Sequence, residues 1–230
     1  RKVLFNLQES ANEGSEREQL SMKAFTIMGR VLKAIYEDLF LCVFMSVAFW
    51  IGVIPVVTIP MVIMGMHNVA NRLANYKRVD NSFFWEGLRT KIGKGWILFL
   101  ISVIVPAAIL FNIWFYLNSQ GWMATIGFAW FWLLVLALAT GQYIFPLIWQ
   151  QDEPDVRLAL RNSVLLALRY PLYSLLMLIF QLVLLAISAG LTLPLVLLYP
   201  AAIAVTQNFA LAGILQEMGL APQPPEIPAR

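Results

Sequence analysis

Long stretches without any charged residue alternate along this chain with shorter stretches that carry all of its charges. Residues 39–66, 95–118, 122–149 and 170–216 contain no Lys, Arg, Asp or Glu. One membrane-spanning helix needs roughly 20 apolar residues, and two spans joined by a tight turn need about twice as many. The pattern therefore predicts membrane-spanning helices in all four stretches.

Proline and glycine divide the first and the last stretch. Pro55 and Pro60 flank a turn, and proline is favoured in the first turn of the helix that follows. Ala189-Gly190 and Pro194 break the stretch 170–216. The predicted fold is an all-α polytopic bundle with a single six-span domain over 39–216, between an N-terminal segment 1–38 and a Pro-rich tail 217–230. The spans are expected as three hairpins at about 39–55, 60–77, 96–118, 123–148, 171–190 and 194–215. A helix at 60–76 that only dips into the bilayer is the alternative for the second span.

Composition and charge agree with a membrane protein and predict its orientation. Hydrophobic residues make up 60% and charged residues 13% of the 230 positions, whereas soluble domains are about half apolar and a quarter charged. The six-span topology places all 29 charged residues (16 Lys+Arg and 13 Asp+Glu) on one side. Lys and Arg are enriched in cytoplasmic loops, so both termini are expected in the cytoplasm.

Three segments on the charged side have helical amphipathic patterns. The first lies in 1–38, and we expect it on the inner membrane surface or packed on the protein's own loops. The others, 82–96 and 154–170, connect predicted hairpins. They are candidate contacts for a cytoplasmic partner, and the alternative is a pair of surface helices that only set the spacing of the hairpins. The candidate contact residues are Phe84, Trp85, Leu88, Arg157 and Arg161.

The helix predicted at 60–76 carries a polar sector formed by His67, Asn68, Asn71, Arg72 and Asn75. Polar groups at membrane depth usually face protein or water rather than lipid. One interpretation is a binding pocket, for example for sugar hydroxyls, and the other is a seam of hydrogen bonds between helices. His67 as a ligand for haem or a pigment is a further alternative.

Other polar residues are scattered through the predicted spans. We expect Asn112, Gln142, Gln181, Gln207 and Asn208 to satisfy one another inside the bundle.

Several sequence signatures of enzymes are missing. The chain has no Gly-rich nucleotide loop, no Cys/His spacing of a metal site and no Gly-x-Ser-x-Gly. We therefore expect no catalytic residues, no metal site and no cofactor. Its basic residues are interspersed with acidic ones and face the inner leaflet, so the expected partners are membrane lipids and other membrane proteins, not nucleic acid.

Several short motifs resemble those of the bacterial YesL-like integral membrane family. They are the stretch Ile54-Pro55-Val56-Val57-Thr58-Ile59-Pro60, then Asn75-Tyr76-Lys77-Arg78 and Phe83-Phe84-Trp85-Glu86, and in the second half Tyr143-Ile144-Phe145-Pro146-Leu147 and Leu160-Arg161-Asn162-Ser163. The similarity covers about residues 35–185. This sequence departs from the family in two ways. Arg161-Asn162 replaces the family's Lys-Asn, and the polar N-terminal extension 1–21 is longer than that of family members. The resemblance implies a bacterial inner-membrane location and an association with carbohydrate uptake by ABC-type importers, and it carries over no catalytic residues.

Together these observations predict a non-enzymatic membrane accessory subunit, associated with a carbohydrate ABC importer. The alternatives are a structural subunit of a respiratory or photosynthetic complex, and a small channel or carrier.

Overall fold

The computed structural model describes residues 13–224, and every regular element within that range is an α-helix. Residues 1–12 of the predicted N-terminal segment and 225–230 of the predicted Pro-rich tail lie outside the described residues. The helices are α1 (Glu13–Glu37), α2 (Leu39–Val53), α3 (Ile59–Ala74), α4 (Asn81–Arg89), α5 (Ile92–Leu117), α6 (Met123–Gln150), α7 (Val156–Arg169), α8 (Pro171–Leu191), α9 (Leu193–Leu197) and α10 (Tyr199–Glu217).

Three helices of the described chain are long and apolar enough to cross a membrane. They are α5, the Thr125–Gln150 part of α6, and α8, and a fourth crossing arises if the bent pair α1 and α2 counts as one span. The structure thus has three or four candidate spans, and it does not confirm six. At 1.5 Å per residue, the 15 residues of α2 and the 16 of α3 extend only about 23–24 Å, less than the roughly 30 Å hydrocarbon core.

Helix α1 packs along the bundle and turns sharply into α2. The two helices meet at Asp38 at an angle of 86°. Ala24, Ile27 and Val31 are buried against the rest of the bundle, where α1 contacts α8 and α10. Lys23 Nζ forms an ion pair with Glu217 Oε2 at 2.6 Å, which joins α1 to the end of α10.

A second apolar stripe on α1 faces away from the bundle. Met22, Phe25, Leu32 and Tyr36 recur every three to seven residues and are each at least half exposed. A helix with one apolar side on protein and another left open suits the membrane interface, where that side lies among lipid headgroups and acyl chains.

Helix α10 is the centre of the bundle. It contacts α1, α2, α3, α6, α8 and α9, and nearly all of its side chains are buried. Its small residues, such as Ala204, Ala210 and Gly213, let neighbouring helices approach closely. Tyr173 donates a hydrogen bond to Ala210 O at 2.9 Å, and the Ala201 N–H donates to Ser46 Oγ at 3.2 Å.

The predicted span 194–215 is divided in two. The short α9 ends at Leu197, and α10 begins at Tyr199 with Pro200 in its first turn. Because proline cannot donate the hydrogen bond that would continue α9, Pro200 favours a new start. A second break lies at Thr192, which has φ +56° between α8 and α9.

The two short helices α4 and α7 lie at the same end of the bundle. Helices α5 and α6 pack against each other, α4 leads into the start of α5, and α7 follows the end of α6. Lys91 Nζ donates to Ile148 O at 3.0 Å, and Lys94 Nζ donates to Pro154 O. Burial, aided by the nearby Lys94 ammonium, lowers the pKa of Lys91 to about 8.

Two glycines allow α4 to rest directly on α3. A Cβ at Gly65 would lie 2.8 Å from Phe84 O, and a Cβ at Gly87 would lie 2.7 Å from the Cβ of Asn68 and 2.9 Å from the Cα of Gly65. Backbone meets backbone here, so a larger residue has no flexible side chain to push aside. This crossing fixes how α4 is held at the end of the bundle.

We expect Gly87→Val to lower the free energy of unfolding by about 1–3 kcal/mol, because the added side chain overpacks the α3–α4 crossing. The measurement is a denaturant titration of the purified protein in mixed micelles. Gly93→Val is the matched control, since a Cβ at Gly93 meets nothing within 4 Å. Equal stability of the two variants would contradict the close crossing.

Candidate functional site

The five polar residues predicted to share one sector of α3 divide among three environments. His67 faces α10 and α6. Its Nδ1 lies 2.9 Å from Asn208 Nδ2, and its ring stacks on Phe145 with centroids 5.2 Å apart. His67 is therefore part of the contact between α3, α6 and α10.

Asn68 and Arg72 instead hold the segment that contains α4. Asn68 Nδ2 donates to Phe83 O at 2.8 Å, and Arg72 Nε donates to Arg78 O at 3.3 Å. The Arg72 guanidinium lies 3.4 Å from the centroid of the Phe83 ring, a cation–π contact. Both side chains thus bond to the segment that comes after α3 in the chain.

Asn71 and Asn75 lie at the end of α3 and are both buried. Asn75 Nδ2 donates to Asn71 O at 2.7 Å, within the same helix turn. Asn71 Nδ2 has no hydrogen-bond partner among the described residues. The structure does not bring the five residues together around one ligand-sized space.

Three glutamines form a relay of hydrogen bonds across α6, α8 and α10. Gln207 Nε2 donates to Gln181 Oε1 at 3.2 Å, and Gln181 Nε2 donates to Gln142 Oε1 at 2.9 Å. Gln142 Nε2 completes the relay by donating to Ala139 O and Ser174 O at 3.0 and 3.1 Å. The expectation that the scattered amides satisfy one another is confirmed for these three residues. It is wrong for Asn112, whose amide donates to Ala108 O of its own helix, and for Asn208, whose amide bonds to His67 Nδ1 and Ala204 O.

A cavity of about 1020 Å³ lies against this relay. Residues from eight helices, α2, α3 and α5 to α10, line it, and most of them are apolar. The polar side chains of its lining include His67, Gln142, Gln181 and Gln207, together with Trp50, Ser102, Thr140 and Tyr199. Lys, Arg, Asp and Glu are absent from its lining in the described chain.

The geometry at His67 is unfavourable for ligating a metal. Asn208 Nδ2 also donates to Ala204 O at 2.8 Å, which fixes the amide with its nitrogen toward His67. His67 Nδ1 must then accept a hydrogen bond, and the ring proton lies on Nε2. Histidines that ligate metals usually donate from one nitrogen and bind with the other. Within residues 13–224, no three His, Cys, Asp or Glu side chains cluster as a metal site would need.

The candidate partner-contact residues have different exposures. Phe84 is fully buried and packs edge-on against Phe44 with centroids 5.4 Å apart, so it anchors α4 and does not face outward. Leu88 is partly buried. Trp85 is half exposed, and Arg157 and Arg161 are exposed.

Comparison with protein-family models, with curated proteins and with solved structures finds no match to this chain. The resemblance to the YesL-like family therefore stays a prediction from the short motifs.

Sequence reasoning did not identify the cavity, the stacking of Phe145 on His67, or the contact of Lys91 with α6. Lys91 Nζ lies 3.9 Å from the centroid of the Trp149 ring. The residues that form the cavity come from eight helices, so no local spacing reveals it. A usable signal was the single glutamine in each of the uncharged stretches 122–149 and 170–190, because an isolated amide at membrane depth needs a partner on another helix.

We expect Gln181→Leu to destabilise the protein by about 0.5–2 kcal/mol, because it removes the middle of the relay and leaves Gln142 Oε1 without its donor. The measurement is equilibrium unfolding in mixed micelles. Gln120→Leu, in the exposed loop between α5 and α6, is the matched control. The relay would have no energetic role if both variants kept the stability of the unsubstituted chain.

Proposed function

We propose that this chain is a non-enzymatic accessory subunit of a bacterial inner-membrane assembly, and that the end of the bundle formed by α4 and α7 contacts its partner. The observation that carries the proposal is that both helices are held firmly from beneath while their outer faces carry exposed Trp and Arg side chains. Tryptophan and arginine are the residues most enriched among those that dominate binding at interfaces.

The inner face of α4 is fixed by contacts that leave its outer face available. Phe84 and Gly87 pack against α3, and Asn68 holds Phe83 O. Asp80 caps the helix by accepting from the Ser82 N–H at 2.8 Å. Trp85 and Glu86 remain exposed on the outside, so α4 presents them in a fixed orientation.

Helix α7 is held in the same way. Asp155 caps it by accepting from the Arg157 N–H at 2.9 Å, and Ala159, Ser163 and Leu166 are buried beneath it. Arg157 and Arg161 lie on its exposed side. The exposed arginines make the outer face of α7 basic, which favours a partner with an acidic contact surface.

The most specific form of the proposal is an accessory subunit of a carbohydrate ABC importer, supported by the resemblance of the Pro-Val-Val-Thr turn and the Phe-rich segment to the YesL-like family. It includes six membrane-embedded helical segments, with both termini and the α4–α7 end in the cytoplasm. The positive-inside rule supports this orientation.

A small carrier is the second candidate, because the cavity of about 1020 Å³ gives the bundle room for a ligand. Solute flux into proteoliposomes that contain this chain alone would favour the carrier over the accessory subunit.

The experiment is isolation of the tagged full-length chain from native membranes in mild detergent, with its co-purifying proteins identified by mass spectrometry. We expect Trp85→Ala combined with Arg157→Glu and Arg161→Glu to weaken partner binding by about 2 kcal/mol or more, roughly 30-fold. The matched control is Trp132→Ala, which removes an exposed Trp from α6 away from this end. A chain that purifies alone, or a partner that is retained equally by both variants, would contradict the proposed contact.

A further inference from the structure

We propose that the cavity binds a neutral, membrane-soluble alcohol, a molecule with a long hydrocarbon body and a hydroxyl head that pairs with Gln207 and His67. This assigns a ligand to a cavity that opens to the outer surface of the bundle beside the exposed Ile104 and Leu136, and it does not depend on the role of the α4–α7 end.

The lining excludes most other ligand classes. Because no described lining residue is a Lys, Arg, Asp or Glu, an ionised headgroup would lose its hydration without gaining a counter-charge. A free sugar would leave most of its hydroxyls against apolar side chains such as Ile101, Val105 and Leu136, which is equally costly. A ligand with a hydrocarbon body and few polar atoms therefore suits this apolar, uncharged lining.

The direction of the glutamine relay decides which atom it presents. Gln142 Nε2 must donate, because its two partners are the backbone carbonyls of Ala139 and Ser174. Its Oε1 then accepts from Gln181, and Gln181 Oε1 accepts from Gln207. The relay therefore ends at Gln207 Oε1, an acceptor for which the described residues supply no donor, and Gln207 lines the cavity.

His67 supplies the complementary donor. Asn208 donates to Nδ1, so the ring proton lies on Nε2. Nε2 has no hydrogen-bond partner within the described chain, and His67 lines the same cavity. Gln207 and His67 thus offer one acceptor and one donor, both uncharged, and Ser102 Oγ is a further polar atom in the lining without a partner among the described residues.

Both residues line the cavity, and their contacts are connected through α6 and α10. Gln207 is next in sequence to Asn208, which donates to His67 Nδ1. On α6, Gln142 of the relay and Phe145 beneath the His67 ring are three residues apart, and such residues share a helix face. A hydroxyl both donates and accepts, so the proposed alcohol donates to Gln207 Oε1 and accepts from His67 Nε2–H.

The size of the cavity fits a lipid-like molecule. Its volume of about 1020 Å³ is at the upper end of the roughly 300–1,000 Å³ typical of ligand pockets. The site therefore suits an alcohol with a long chain better than a short one.

The test measures equilibrium binding of radiolabelled geranylgeraniol and of dioleoylglycerol to the full-length protein in nanodiscs, each beside its own O-methyl ether. We expect at least one alcohol to bind roughly 10-fold more tightly than its ether, because the ether cannot donate to Gln207 Oε1. Preference for geranylgeraniol would identify an isoprenoid alcohol as the ligand source, and preference for dioleoylglycerol a glycerolipid.

Two side-chain variants test the hydroxyl contact. We expect Gln207→Met and His67→Phe, which keeps a ring to stack on Phe145, each to reduce the preference for the alcohol to within about 2-fold. Thr206→Val is the matched control, because Thr206 Oγ1 donates to Ala202 O on a part of α10 outside the cavity. It should keep the full preference.

A cavity-filling pair tests the location independently of the polar groups. A Cβ at Gly141, on the cavity wall, and a Cβ at Gly190, away from the cavity, each meet nothing within 4 Å. Gly141→Phe should lower alcohol binding at least 10-fold, while Gly190→Phe leaves it unchanged. Equal binding of alcohol and ether to the unsubstituted protein, no binding above empty nanodiscs, or equal effects of the two glycine variants would overturn the proposal.

Discussion

The polar side chains in the middle of this bundle must bond to one another, because neither lipid nor an apolar side chain can replace the water they lose. This constraint brings four helices together. The relay from Gln142 through Gln181 to Gln207 joins α6, α8 and α10, and the bond between His67 and Asn208 joins α3 to α10. Helix α10 contributes to both contacts, and it is also the helix that the others surround.

Some polar atoms inside the bundle lack a hydrogen-bond partner, and these atoms have the most chemical interest. Asn208 Oδ1 and Asn71 Nδ2 are buried without partners among the described residues. Gln207 and His67 line the cavity, and Gln207 Oε1 and His67 Nε2 have no partner among the described residues. On the same helix, by contrast, Asn68 Nδ2 and Arg72 Nε donate to the segment that contains α4. The bundle therefore keeps unpaired polar atoms among its helices, while α4 and α7 carry exposed charged side chains at one end.

Periodicity, charge and helix-breaking residues predicted a large part of the architecture. The all-helical class, the helix that starts beside Pro60, and the pairing of the three glutamines followed from the absence of charge, from proline chemistry and from the cost of lone amides at membrane depth. The six-span count did not follow, because the lengths of α2 and α3 are set by Pro55 and by the turn after Ala74, which leave both too short to cross alone.

A helical projection placed His67, Asn68 and Arg72 in one sector, but an angle on one helix does not say which neighbour each side chain meets. Phe84 was expected to face a partner, and the glycine crossing instead brings it inward. The central position of α10 depends on contacts with six helices that no local pattern encodes.

The central claim is that the interior polar groups are uncharged and paired in one fixed direction. His67 is the only histidine of the chain, so its ring gives an unambiguous signal. The most direct measurement is ¹⁵N solid-state NMR of the histidine-labelled protein in lipid bilayers at neutral pH. The structure predicts a single neutral tautomer, with the proton on Nε2 and with Nδ1 accepting from an amide, and it predicts loss of that Nδ1 bond in Asn208→Leu. A doubly protonated ring, a proton on Nδ1, or an unchanged spectrum in the variant would contradict the account.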